Sequence, residues 1–204
     1  MAKVNNPSSL THRQRQALET RRLIVESARA LFLDQGYAAT TLQAIALQAG
    51  VSVSTVYAIF ESKRGILRAI RETWHHESHI RDATYSASPG MDAGTRLERL
   101  AQATRRQWET GADVITIYQG AAAADRDAAA ELAEALQGRR TGFAALAASL
   151  RSALRADLSV EQAASVLRTL CLPEVHAELV AQSGWTEDAY QAWLAAALKR
   201  ELLP

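Results

Sequence analysis

Between positions 52 and 64 the chain carries Ser52, Ser54, Thr55 and Tyr57, then Lys63 and Arg64, with no acid before Glu61. Hydroxyls and cations donate hydrogen bonds to phosphate oxygens and to base edges. A helix that merely faced water would more often carry Glu and Lys pairs. The chemistry on offer here is recognition, not bond-making. A second group is His75-His76-Glu77-Ser78-His79. His75 and His79 stand at i, i+4 and could share a metal with Glu72. Glu77 is followed too early by His79 for a zinc-protease helix, however, and histidines at a helix end near a pocket or solvent are the plainer reading. No metal or cofactor is assigned. There is no glycine-rich phosphate loop and no nucleophile with a base at motif spacing, and the carboxylates are scattered among alanines. No enzyme activity is read from the sequence.

These side chains need a scaffold, and residues 40–66, TTLQAIALQAGVSVSTVYAIFESKRGI, supply it. Thr41 is a candidate N-cap, its hydroxyl taking a backbone N–H at a helix start. Leu42, Ile45, Ala46 and Ala49 recur at i, i+3, i+4 and i+7, on one helical face. Gly50 tolerates the positive φ of a sharp helix exit. Ser52 caps again, and Val56 and Phe60 point back at the first helix. Two short helices around a glycine turn make a helix-turn-helix, the unit that lays its second helix in the major groove. Such pairs also occur in proteins that never touch DNA. The hydroxyl-rich face favours DNA.

Phe32, Gly36 and Tyr37, followed by TTLQAIALQAGVSVSTVYAIFESKRGIL, resemble the N-terminal domain of the tetracycline-repressor-type (TetR) transcriptional regulators. The similarity covers residues 21–70 densely. It implies that Thr41 and Tyr57 contact phosphates, that Lys63 clamps the DNA backbone, and that Val53, Ser54 and Thr55 face the bases. Ala58 and Ile59 depart from the family pattern, where an aromatic and a histidine are common. Between Ser52 and Phe60 there is no Arg, Lys, Asn or Gln to make a bidentate base pairing. Gln43, DNA shape and the basic N-terminal arm are left to supply the remaining specificity.

The 204 residues are 48% hydrophobic, enough for a substantial core, and the net charge is only +1. That charge is uneven: +5 up to Arg81 and −4 beyond it. A basic head on an acidic body fits a nucleic-acid partner. Cys171 is the single cysteine, so a reducing compartment is expected. The first ten residues have no signal-peptide core and no membrane-length apolar run follows, so the protein is expected in the cytoplasm.

The expected fold is all-α: a mobile basic arm over 1–20, a three-helix DNA-binding head with the helix-turn-helix over 21–66, and a larger helical ligand-binding and dimerisation body over 67–204. A helix is read from Thr11, its convincing pattern being Ile24, Ala28, Leu31 and Phe32. Arg13 and Arg15 either reach a minor groove or lie in solvent. A long helix from Lys63 carries Ile66, Leu67, Ile70 and Trp74 out of the head. Residues 82–95 read as a loop. Further helices are expected over 96–109, 112–124, 127–155, 159–170, 174–182 and 187–202. The 127–155 helix is taken as continuous through Gly138 and Gly142, whose small-residue face would let another helix pack closely.

Trp74, Trp108 and Tyr118, with Tyr85 and Met91, fall where the resembled family encloses a small-molecule cavity; each is also a plausible core residue. Arg105 either pairs with an acidic ligand or lies in solvent. In the last helix Tyr190, Trp193, Leu194, Ala197 and Leu198 form an apolar stripe. With Leu167 and Leu170 it is expected to build a two-fold interface. The function read from all this is a ligand-responsive regulator, a homodimeric repressor of a near-palindromic operator on double-stranded DNA, released by a small molecule. The competing reading is a helical small-molecule-binding or carrier protein whose N-terminal helices serve protein contacts.

Overall fold

The computed structural model describes residues 11–80 and 90–204. Helix α1 (His12–Gln35) starts on a capping box: Thr11 Oγ1 accepts from the Gln14 amide at 3.2 Å, and Gln14 Oε1 accepts from the Thr11 amide at 2.8 Å. The helix thus starts from its cap at Thr11, as its sequence suggested, and carries Arg13 and Arg15. It buries Ile24, Val25, Ala28, Leu31 and Phe32, and ends at Gly36 with φ 82°. Helices α2 (Leu42–Gln48) and α3 (Val53–Phe60) follow, capped by Thr41 and Ser52. Ser62 caps α4 (Lys63–Ser78), whose apolar face is Ile66, Leu67, Ile70 and Trp74.

Asp92 caps α5 (Ala93–Ala124), so this helix begins inside the segment expected to be loop. The two helices predicted on either side of residues 110–111 are one, with a kink at Gly111 (φ −152°, ψ 24°). Helix α6 (Arg126–Ser149) runs unbroken through Gly138 and Gly142 but stops short of residue 155. After a 3-10 turn, Arg151–Ala153, the Arg155 amide donates to the Leu202 carbonyl at 3.0 Å, drawing the chain off the helical path. Helix α7 (Val160–Leu170) has a Ser159–Gln162 capping box, and α8 (Pro173–His176) continues into a π-helical turn, Ala177–Gln182. Helix α9 (Glu187–Leu202) is capped by Thr186. No strand occurs among the described residues.

Two apolar cores form. The first joins α1 to α4 around Ile24, Phe32, Ile45, Val56, Phe60 and Ile66, and continues through Trp74 to Trp108, Val114 and Tyr118 of α5. Helix α4 carries it without a gap past residue 66. The second core packs α5, α6, α7 and α9 around Leu100, Phe143, Leu146, Leu167, Tyr190 and Leu198. This alters the dimer assignment. Leu167, Tyr190, Leu194 and Leu198 are all 0% exposed within their own chain, because α9 lies against α5 and α7. They cannot also face a second copy. Only Leu170 and Trp193 of the expected set retain exposed surface.

Candidate nucleic-acid interface and body cavity

Helices α2 and α3 meet at 109°, the crossing of a helix-turn-helix. Gly50, at φ 67°, makes the turn between them. Thr41 Oγ1 accepts from the Ala44 amide at 3.1 Å. Ser52 Oγ accepts from the Thr55 amide at 3.1 Å and lies 2.8 Å from Ser54 Oγ and 2.7 Å from Thr55 Oγ1. The three hydroxyls thus form one cluster at the start of α3, where backbone N–H groups also point outward. Gln43, Ser52, Ser54 and Tyr57 are exposed, Tyr57 by half, whereas Val53 is partly buried against the core. The structure brings Thr41, Gln43 and the α3 hydroxyls onto one small unit.

The two cations after α3 are engaged within the protein. Lys63 Nζ donates to the carbonyls of Tyr37 at 2.6 Å, Thr40 at 3.0 Å and Ala38 at 3.4 Å, and lies 4.3 Å from the Tyr37 ring centroid. Desolvation pulls its ammonium below the ordinary lysine value. All three hydrogens serve the turn between α1 and α2. Arg64 pairs with Asp127 at the start of α6. Two more pairs tie α1 and α4 to the body: Arg29 to Asp113 at 2.5 Å and Arg68 to Glu131 at 2.6 Å. At the corner between α3 and α4, a Cβ on Gly65 would lie 2.0 Å from the Phe60 carbonyl oxygen.

A cavity of about 380 Å³ opens between α4, α5 and α6, where the two cores meet. Trp74, Trp108, Tyr118 and Phe143 form its aromatic wall. The rings of Trp74 and Trp108 are 5.7 Å apart. Trp74 Nε1 donates to the Gln107 carbonyl at 2.6 Å. In a regular helix that carbonyl would accept from the Gly111 amide. The indole therefore occupies the kink, and a Cβ on Gly111 would meet Trp74 Nε1 at 2.0 Å. On the other side Arg29 Nη2 donates to the Thr110 carbonyl at 2.7 Å. Tyr118 donates to the Leu67 carbonyl at 3.2 Å, and burial pushes its hydroxyl up to about 12.

Arg105, expected near a ligand, is not part of this wall. It pairs with Glu109 at 3.4 Å and with Asp188, bracing α5 against α9. The polar lining consists instead of Arg71, His75, Gln107, Glu134 and Arg139. Arg139 lies over the Trp108 and Phe143 rings, 5.7 and 5.5 Å from their centroids, and donates to the Cys171 carbonyl. Burial pulls its guanidinium below the ordinary arginine value. The sequence carried a signal for this: Gly138, Arg139, Gly142 and Phe143 share one stretch of α6. Its glycines leave room for a cavity, where close packing of another helix was expected. His75 lines the cavity too, and among the described residues no group of three His, Cys, Asp or Glu could hold a metal ion.

Residues 24–70 match the family model of bacterial regulatory proteins of the tetR family. No curated protein matches the chain. Solved structures do. NalD, the secondary repressor of the MexAB-OprM multidrug efflux pump in Pseudomonas aeruginosa, is 22% identical with a TM-score of 0.70, over 92% of this chain and 97% of that one. The SmeT–triclosan complex is 20% identical with a TM-score of 0.73, over 91% and 92%. FadR, a fatty acid degradation regulator from Bacillus halodurans, is 17% identical with a TM-score of 0.66, over 96% of both chains. No single helix among the described residues is long and apolar enough to cross a membrane. Residues 24–70 thus carry a head of the tetR-family regulatory type, and nearly the whole chain shares the fold of these solved structures.

Proposed function

We propose that this regulator is a repressor that binds a near-palindromic operator as a homodimer and leaves it when a small molecule fills the cavity. The observation that carries this reading is the continuity of α4: it opens beside α3 and farther along lines the cavity with Arg71, Trp74 and His75. Thr41, Ser52 and Tyr57 hold phosphates, while Gln43, Val53, Ser54 and Thr55 face the groove. Two heads reading one face of the duplex need half-sites ~34–36 Å apart, about one helical turn. A ligand favouring another spacing weakens binding, with a typical coupling of ~1–3 kcal/mol. NalD, named as a repressor, and SmeT, solved with triclosan, support the repressor and effector roles by analogy of fold.

The second copy packs on the outer faces of α7 and α9, through Leu170, Trp193 and the exposed alanines Ala189, Ala192 and Ala196. The deciding experiment selects genomic fragments with the purified protein, then measures salt-dependent gel shifts on the selected duplex. Tight, sequence-specific retention with two-fold related half-sites is expected. Indifference to sequence at every salt concentration would return the chain to the carrier reading.

A further inference from the structure

We propose that the ligand of the body cavity is an organic anion, a planar carboxylate on a flat apolar body, held by Arg139. This rests on the reading of the cavity as the effector site and adds the chemical class of the effector. Arg139 is set into a wall of aromatic rings, stacked on Trp108 and Phe143. Among the described residues no carboxylate lies within ion-pairing distance of it, and its hydrogen bond goes to a neutral backbone carbonyl. Arg29, Arg64, Arg68 and Arg105, by contrast, each have an acidic partner. Glu174 acts on Arg139 only from beyond pairing distance. A guanidinium without a paired counter-charge in an apolar wall is costly, and a bound carboxylate with its fork geometry removes that cost.

Two further observations point the same way. Arg71 also lines the cavity, and its buried Nε has no hydrogen-bond partner. Trp108 Nε1, in a residue only 3% exposed, is a second buried donor without an acceptor. The described lining thus offers two guanidinium groups and a spare indole N–H against one carboxylate, that of the exposed Glu134. Donors outnumber acceptors, which is the polarity an anion requires. The aromatic wall and the volume of about 380 Å³ suit a flat, drug-sized body.

The test compares 2-naphthoate with 2-naphthamide, its planar neutral counterpart, by titration calorimetry on the full chain. The wild type is expected to bind naphthoate at least about tenfold more tightly, since charge-assisted pairs are roughly twice as strong as neutral ones. Arg139→Gln should abolish that preference while leaving the amide affinity within about threefold. Arg139→Lys, which keeps the charge but loses the fork, should retain part of it. The wild-type comparison needs no variant, so a misfolded Arg139→Gln cannot shield the proposal. Equal binding of the two probes to the wild type, or a preference that survives Arg139→Gln, overturns the anion assignment and leaves the cavity a ligand site. Binding of neither probe overturns both. Anion binding without any operator release supports the ligand class and sinks the effector reading alone.

Discussion

A methyl group on Gly111 would stand 2.0 Å from the indole nitrogen of Trp74, so alanine there must displace a buried ring. Alanine is otherwise the better helix former by ~1 kcal/mol. Gly120, in the same helix, has open space within 4 Å of where a Cβ would stand. Urea denaturation should separate the two: Gly111→Ala costs about 1–3 kcal/mol through overpacking, while Gly120→Ala gains about 0.4–1 kcal/mol. Lys63 is read the same way. Its ammonium satisfies three carbonyls, so Lys63→Ala should cost about 1–3 kcal/mol of folding stability. If its hydrogens stay on those carbonyls, the slope of log affinity against log salt changes little. A fall of about one unit would place the ammonium on a phosphate, as the family resemblance implies. Tyr57→Phe, at a half-exposed hydroxyl, should weaken binding to all duplexes alike and leave sequence preference unchanged. The caps and the glycine turn of the head were legible because their chemistry is local. Arg139 was not, since an arginine's partner or lack of one depends on three other helices.

At the scale of elements, periodicity showed which face of each helix is buried and was silent about what buries it. The α9 stripe illustrates this. Tyr190, Leu194 and Leu198 are apolar at helical spacing whether they meet their own chain or a second copy, and here α5 and α7 of the same chain cover them. The expected consequence reverses that of an interface stripe. Leu198→Glu puts a charge into the second core, which costs several kcal/mol against a native margin of about 5–15, and should unfold the body. Ala192→Arg, on the exposed face of α9, should leave the fold intact and yield monomers. Circular dichroism and sedimentation velocity together check both; a folded, dimeric Ala192→Arg would move the interface elsewhere. Helix ends were legible where a capping box stood, as at Thr11 and Ser159. The kink at Gly111 showed as a gap between two predicted helices. Its cause, an indole from α4 sitting in it, is a tertiary contact that no local pattern records.

Across the whole molecule, buried hydroxyl and thiol groups set the alkaline limit of stability. Burial pushes the Cys171 thiol from 9.0 up to about 11, and the Tyr37 and Tyr118 hydroxyls from 10.0 up to about 12. Raised folded-state values mean that the native form holds these protons more tightly than the unfolded chain. The stability they contribute is complete below pH 9 and drains away between pH 9 and 12. The urea midpoint should therefore fall across that window, and Tyr118→Phe should blunt the fall. A midpoint flat across the same window would mean that these groups ionise freely in the native protein. One corner also governs how the molecule can move. Because Gly65 lets α4 start directly against the Phe60 carbonyl, α3 and α4 are expected to turn together as one lever. Lys63 and Trp74 are eleven residues apart, about 16 Å along the axis at ~1.5 Å per residue. A sideways push of about 1 Å at Trp74 then turns the lever by roughly 3–4°, from that arm length. With little slack at the corner to absorb it, the edge of α3 proposed to face the groove should turn through the same angle.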